Sequence, residues 1–207
     1  TSAMEGYPTA NTKFFTVAAN GSNTEAMNLP FGFTGSLSGD GQYMAYQPYS
    51  FWDPEWRNYR GGQAQPIWIF NVKTQETFKT VQGNKERHTS PAWENGFVYF
   101  LSEQDYLNNV WSYNPKTKEQ KKLTFHKDFD AKNLSASNGK VIYEQGGYLN
   151  SLDIATGKTK QLEILVKGDF NWIRARWNNI NAAQLINAGI SPTGKRAVFE
   201  HRGEIFT

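Results

Sequence analysis

No cysteine occurs in this chain of 207 residues, which removes disulfide staples, a thiol nucleophile, cysteine-ligated zinc and iron–sulfur clusters from consideration. Histidine is almost as scarce. The chain has three, His88, His126 and His201, none in a His-x-x-x-His spacing, so no metal or cofactor is expected. Neither sign of charge dominates: 22 Lys plus Arg stand against 19 Asp plus Glu, a net charge of +3. The totals therefore show no basic footprint, and a nucleic-acid partner is not expected. Long apolar runs are missing as well. Stretches such as Ile164-Leu165-Val166 fall far short of the ~20 residues of a membrane span, and no membrane partner is expected. The start, Thr1-Ser2-Ala3-Met4-Glu5, lacks the basic residues and apolar stretch of a signal peptide. Helical periods are rare, with residues 179–186 the one candidate for a turn of helix.

Motifs of phosphate and acyl chemistry are absent or broken. Gly189 to Lys195 has the outline of a phosphate loop, but Arg196 stands where magnesium needs Ser or Thr, and the following Ala197-Val198-Phe199 reads as a strand rather than a helix. The same Gly-Lys turn recurs at Gly139-Lys140. No Gly-x-Ser-x-Gly nucleophile elbow is present, so no serine can be paired with the histidines and no catalytic residue is assigned. Asp128 and Asp130 follow His126 in a calcium-loop-like order that breaks at Lys132, which favours a solvated loop.

What the chain does have is aromatic residues. Seven Trp, 10 Tyr and 14 Phe make up 15% of it, a composition that packs rather than stays disordered. These residues recur in a pattern. A polar turn ending in glycine, then an apolar strand, appears at Ser38-Gly39-Asp40-Gly41, Trp93-Glu94-Asn95-Gly96, Ser137-Asn138-Gly139 and Ser191-Pro192-Thr193-Gly194. The last glycines fall 55, 43 and 55 residues apart. A second strand recurs from Ile67, Val110 and Tyr148, each closing on a polar turn, and a short fourth strand follows at 78–81, 121–124 and 160–163. Four strands per repeat at this period predict an all-β fold of antiparallel propeller blades. A β-sandwich has similar strands and turns, but no reason to repeat its sequence. Three complete repeats with partial ones at each end fall short of the 4–8 blades of a closed ring, so part of a larger propeller is expected.

Two aromatic and basic segments stand out as candidate binding surfaces. Residues 51–62 form an insertion that carries Trp52, Trp56, Arg57, Tyr59 and Arg60, and residues 172–177 carry Arg174 and Arg176. Trp and Arg dominate interface energetics, and a guanidinium can fork onto a carboxylate such as a peptide C-terminus. The structural alternative is that the tryptophans fill a blade junction while the arginines pair with Asp53 and Glu55.

Residues 56–62 followed by Ile67-Trp68-Ile69-Phe70, then residues 124–130, 141–147 and 191–200, taken in order, resemble the N-terminal propeller region of tricorn-type proteases. The Ser-Pro-x-Gly-Lys element by itself is shared with TolB-like propellers. Such proteases place a six-bladed propeller before a seven-bladed one, a PDZ domain and a serine peptidase core. The resemblance implies that residues 1–178 are later blades of the first propeller and that residues 179–207 start a blade of the next. It also implies a noncatalytic segment that guides or filters peptides, with the remaining domains as partners in a homo-oligomeric, cytoplasmic parent, or a periplasmic or exported one where a signal peptide precedes it. The alternative is a TolB-like propeller that serves as a protein-binding scaffold. A propeller glycosidase would need clustered carboxylates at the axis, and the sequence offers no such set.

Overall fold

Glycines and short polar residues divide the chain into strands of two to seven residues, and each strand pairs antiparallel with its neighbour in sequence. The computed structural model describes residues 2–5, 11–49, 58–61, 64–80, 85–175, 177 and 179–207. A first sheet holds β1 (Ser2–Glu5), β2 (Asn11–Thr16) and β3 (Glu25–Ala26). The second holds β4 (Thr34–Leu37), β5 (Tyr43–Gln47), β6 (Trp68–Asn71) and β7 (Thr77–Lys79). The third holds β8 (His88–Glu94), β9 (Phe97–Ser102), β10 (Asn109–Tyr113) and β11 (Gln120–Lys122). The fourth holds β12 (Ala131–Ser137), β13 (Lys140–Gln145), β14 (Tyr148–Asp153) and β15 (Thr159–Gln161). A fifth, three-stranded sheet holds β16 (Leu185–Ile190), β17 (Ala197–His201) and β18 (Glu204–Phe206).

The all-β propeller-blade architecture expected from the repeats is what the chain forms. The fourth strands begin one residue earlier than the sequence suggests and are three residues long. Phe14 lies on β2, and β1 before it pairs with β2 from Ser2↔Phe14 to Glu5↔Asn11. Near residues 179–186 the helical turn is a single 3-10 turn, Ala182–Gln184, whose Asn181 side chain accepts from the Ala183 N–H. The chain divides into two compact units, Thr1–Ile164 with the first four sheets and Leu165–Thr207 with the fifth.

Within the first unit the core lies between sheets rather than inside one. Phe14 of the first sheet and Leu29, which follows that sheet, pack on Met44, Tyr46 and Phe70 of the second. The opposite face of the second sheet presents Ala45, Ile67 and Ile69 to Val98, Phe100 and Tyr113 of the third. The third turns Tyr99, Leu101 and Val110 toward Ala131, Val141, Tyr143 and Leu152 of the fourth. Adjacent residues of β5 and β9 therefore enter different cores, because side chains alternate across a pleat. This explains the continuous apolar runs, such as Phe97-Val98-Tyr99-Phe100-Leu101, where a one-sided sheet would show alternation. The first strands β4, β8 and β12 lie side by side and are bonded across blades: the Trp93 N–H donates to Ser36 Oγ at 3.0 Å, and the Gly139 N–H to Glu94 Oε1 at 2.8 Å.

Turn chemistry repeats with the sheets. Gly41, Gly96, Gly139 and Gly194 all have positive φ, between +66° and +79°, as the repeat alignment predicts. They divide into two turn types. Asn95-Gly96 and Asn138-Gly139 place two successive residues at positive φ, the twist that joins strands through a two-residue turn. At Gly41 and Gly194 the glycine N–H closes back on the Ser38 and Ser191 carbonyls instead. Between third and fourth strands a side-chain-capped turn occurs three times. Asn71 Oδ1 accepts from Lys73 N and Thr74 N, Asn114 Oδ1 from Lys116 N and Thr117 N, and Asp153 Oδ1 from the Thr156 N–H and hydroxyl. Its left-handed position is glycine at Gly157 but a side chain at Gln75 and Lys118, with φ of +63° and +62°.

One repeated feature carries no glycine signal. β8, β12 and β16 each contain a bulge with Ser90, Asn133 or Asn187 at φ +52° to +53°. At two of them the asparagine amide donates to a glutamate on the next strand at 2.9 Å, Asn133 to Glu144 and Asn187 to Glu200.

These turns generate a pair of opposed expectations. Gly139→Val meets no atom within 4 Å of its new Cβ, so its cost is conformational, about 1–2 kcal/mol. Lys118→Gly relieves left-handed strain in the turn between third and fourth strands, where the next blade has Gly157, and is expected to stabilise by about 0.5–1 kcal/mol after the entropy of glycine is deducted. Urea unfolding of the two variants measures both; shifts of the same sign would break the turn alignment.

Candidate functional site

The described part of the aromatic insertion, residues 58–61, sits at the end of the second and third sheets opposite to the glycine hairpins. It is fixed there by one carboxylate. Glu103, 2% exposed, follows directly on β9. Its Oε1 lies 2.8 Å from Arg60 Nη1, its Oε2 accepts the Asn58 N–H at 3.0 Å, and its carbonyl accepts from Arg60 Nη2 at 3.3 Å. Arg87, just before β8, brings Nη2 to 3.9 Å of the same Oε2, and Glu86 lies 3.9 Å from Arg60 Nε. Burial pulls the pKa of Arg87 down, while Glu103 and then Asp130 pull it back. Asp130 in turn accepts the Asn108 N–H at 2.9 Å. The result is a line of alternating charge, Arg60, Glu103, Arg87, Asp130, across the loops of three blades. A buried carboxylate persists only with such partners.

Each proposed contact residue has a distinct position. Arg60 is turned onto Glu103 and Glu86, and its side chain is 30% exposed. Tyr59 is half-buried in the same short segment. Trp52, Trp56, Arg57 and Arg176 lie outside the described residues. Arg174, in the second unit, is exposed and bonded to Asp169. The structure thus unites Arg60 with Glu103 and Arg87, residues that carry no motif. Both partners are single charges beside strand ends, and 43 residues separate Glu103 from Arg60, so no local pattern joins them.

The histidines have structural surroundings. His88 is fully buried at the start of β8, stacked on Phe100 with ring centres 4.8 Å apart and 3.4 Å from the Gln104 amide. Burial pushes its pKa down to about 3, so the ring stays neutral at physiological pH. His126 Nε2 lies 2.9 Å from the Tyr143 hydroxyl, and the backbone N–H of His126 donates to Asn109 Oδ1 at 2.8 Å. Burial lowers its pKa against the opposing effect of Asp128. Burial also pushes Tyr143 up to about 12, so the pair holds a neutral hydrogen bond. Among the described residues no group of three His, Asp or Glu is arranged to hold a metal ion, and no helix is long and apolar enough to cross a membrane.

Four-stranded antiparallel sheets that share inter-sheet cores and place their first strands side by side define a β-propeller. The chain belongs to the tricorn protease N-terminal β-propeller domain family, whose sequence model matches residues 1–158. It is 25% identical over 201 residues to a tricorn protease homolog of Saccharolobus solfataricus, covering 94% of this chain and 18% of that protein. It is 26% identical over 111 residues to the tricorn protease of Thermoplasma acidophilum, covering 54% of this chain and 10% of that one. The chain thus spans less than a fifth of the length of these relatives. Among solved structures the fold resembles the tricorn protease, with a TM-score of 0.54 at 18% identity over 99% of this chain and 24% of that one. It also resembles TolB from Acinetobacter baumannii, with a TM-score of 0.57 at 14% identity over 93% of this chain and 44% of that one.

Two expectations come from these side chains. Glu103→Gln removes the charge that balances Arg87 and Arg60 while keeping the shape. It should destabilise by about 2–4 kcal/mol in thermal unfolding, below the full cost of stranding a buried charge because Arg60 can turn to water. Unchanged stability would mean that the line of charges is dispensable. For His88, the unfolded chain takes up a proton below pH 6.5 that the folded chain refuses until about pH 3. Its contribution is therefore complete above pH 6.5 and is lost as pH falls, by up to about 1.4 kcal/mol per unit. His88→Gln should flatten the stability profile between pH 6 and 4; an unaltered slope would mean that His88 is protonated when folded.

Proposed function

We propose that this chain is a noncatalytic propeller segment of a tricorn-like serine peptidase and guides or filters peptides on their way to a peptidase core. What supports the reading is the family match together with one structural observation: Glu103 fastens the base of the 51–62 insertion through Asn58 and Arg60. Fixing the base lowers the ordering cost of any contact that Trp52, Trp56 and Arg57 make with an extended peptide. Aromatic faces and a forked guanidinium hold peptides and their C-terminal carboxylates without chemistry. In this reading Tyr59 and Arg60 anchor the loop, while Arg174 and Arg176 offer a second basic surface. Residues 1–178 are later blades of the first propeller, and residues 179–207 open a blade of a following one. The partners are peptides and the other domains of the same protease, a second propeller, a PDZ domain and a catalytic core, in a homo-oligomeric and cytoplasmic parent, or an exported one where a signal peptide precedes it.

The test uses the full-length protease. Arg57→Ala should slow turnover of long peptides several-fold and leave the smallest chromogenic substrates nearly untouched. Equal loss on both, or loss on neither, removes the insertion from the substrate path. A gene that ends in a closed propeller without a peptidase core would instead support a TolB-like scaffold that binds a protein partner.

A further inference from the structure

A pocket of about 630 Å³ opens between the second and third blades at the hairpin-turn end, at the far end of β9 from Glu103. Its walls include Asp40, Tyr43, Phe78, Trp93, Glu94 and Lys116. We propose that it receives the guanidinium of an arginine side chain carried on an extended peptide.

Three observations support this ligand. The first is aromatic: Tyr43 from the second blade and Trp93 from the third stand with ring centres 6.4 Å apart and planes 31° apart, and Phe78 of β7, 37% exposed, adds a third ring. Flat faces of this kind attract cations and stack best with a planar one. The second is charge. Asp40 is exposed, and both its side-chain bonds, from the Ser38 hydroxyl at 2.6 Å and the Gln42 N–H at 3.0 Å, fall on Oδ1. These donors hold its carboxyl below the usual range. Glu94, on the face of β8 opposite to Trp93, turns its carboxylate away to the Gly139 N–H of the fourth blade at 2.8 Å. The Asp40 carboxylate, with Oδ2 outside these bonds, therefore stands beside the three rings, with Lys116 at the rim, and a carboxylate next to aromatic faces suits a planar, forked cation.

The third observation separates this pocket from the repeat itself. At the corresponding register positions of the next interface, between the third and fourth blades, stand Phe97, Lys121 and Ala136 in place of Tyr43, Phe78 and Trp93. Two of the three rings are gone, and a lysine occupies the position of Phe78. The blade fold does not require this set of side chains. A pocket of 630 Å³ is large enough for an arginine with flanking backbone, within the usual ~300–1,000 Å³ range of ligand sites.

This inference goes beyond the guiding role: it uses no residue of the 51–62 insertion and is tested without a protease. Fluorescence anisotropy at low ionic strength, where exposed charges are least screened, compares the 207-residue chain with three labelled pentapeptides. Their central residue is arginine, its neutral isostere citrulline, or lysine. The arginine peptide should bind about ten-fold more tightly than the citrulline peptide and measurably more tightly than the lysine peptide. Asp40→Asn should weaken it about three- to ten-fold, and Lys116→Ala should strengthen it. Asp40 is exposed, so its variant keeps the fold and reads binding alone. Equal binding of arginine and citrulline peptides, equal binding of arginine and lysine peptides, or weakening by Lys116→Ala would overturn the proposal. Failure here leaves the turnover result with Arg57→Ala standing, and the reverse also holds.

Discussion

A blade has no face of its own to give to water near the axis of a propeller; each sheet is covered on both sides by its neighbours, and its stability is shared with them. Everything else in this chain follows from that constraint. The second and third blades bury apolar residues on both faces, so Met44 and Ala45, or Phe100 and Leu101, enter different cores although they are adjacent in sequence. Removing one large ring such as Phe100 affects two blades at once, and its loss falls in the range of about 3–5 kcal/mol for a buried aromatic. The first strands, closest together, add bonds between blades through Ser36 and Glu94.

With hydrophobic burial assigned to the blade interfaces, the ends of the sheets are free to carry polar chemistry, and the two ends differ. At the hairpin end, turns closed by glycine and asparagine leave room for the pocket between Tyr43 and Trp93. At the opposite end, longer connections bring unlike charges together around Glu103, and burial makes their pairing obligatory. A rigid frame with variable loops is the usual way that a scaffold presents a binding surface.

Much of this was legible in the sequence, for physical reasons that can be named. Hairpin glycines are legible because φ near +70° excludes most side chains, and Gly41, Gly96, Gly139 and Gly194 all mark real turns. The Asn71, Asn114 and Asp153 turns are legible because a side-chain oxygen must stand two or three residues before the amides that it caps. The bulges at Ser90, Asn133 and Asn187 were not, since their strain is absorbed by strand pairing rather than by residue type. The fourth strands were displaced by a residue because edge strands with few buried side chains carry a weak pattern.

The sequence by itself determined the class of fold, the four-strand repeat, the turn positions and the family, because each depends on neighbours within a few residues or on order along the chain. Only the tertiary structure decided which groups meet across blades. The sequence offers Asp53 and Glu55, both outside the described residues, as local partners for Arg60, whereas the structure adds Glu103, 43 residues away, and Glu86. Asp40 and Trp93 share a pocket only because the second and third blades stack. Charge pairing and pocket lining depend on distance in space, and blade stacking brings into contact residues that the chain holds far apart.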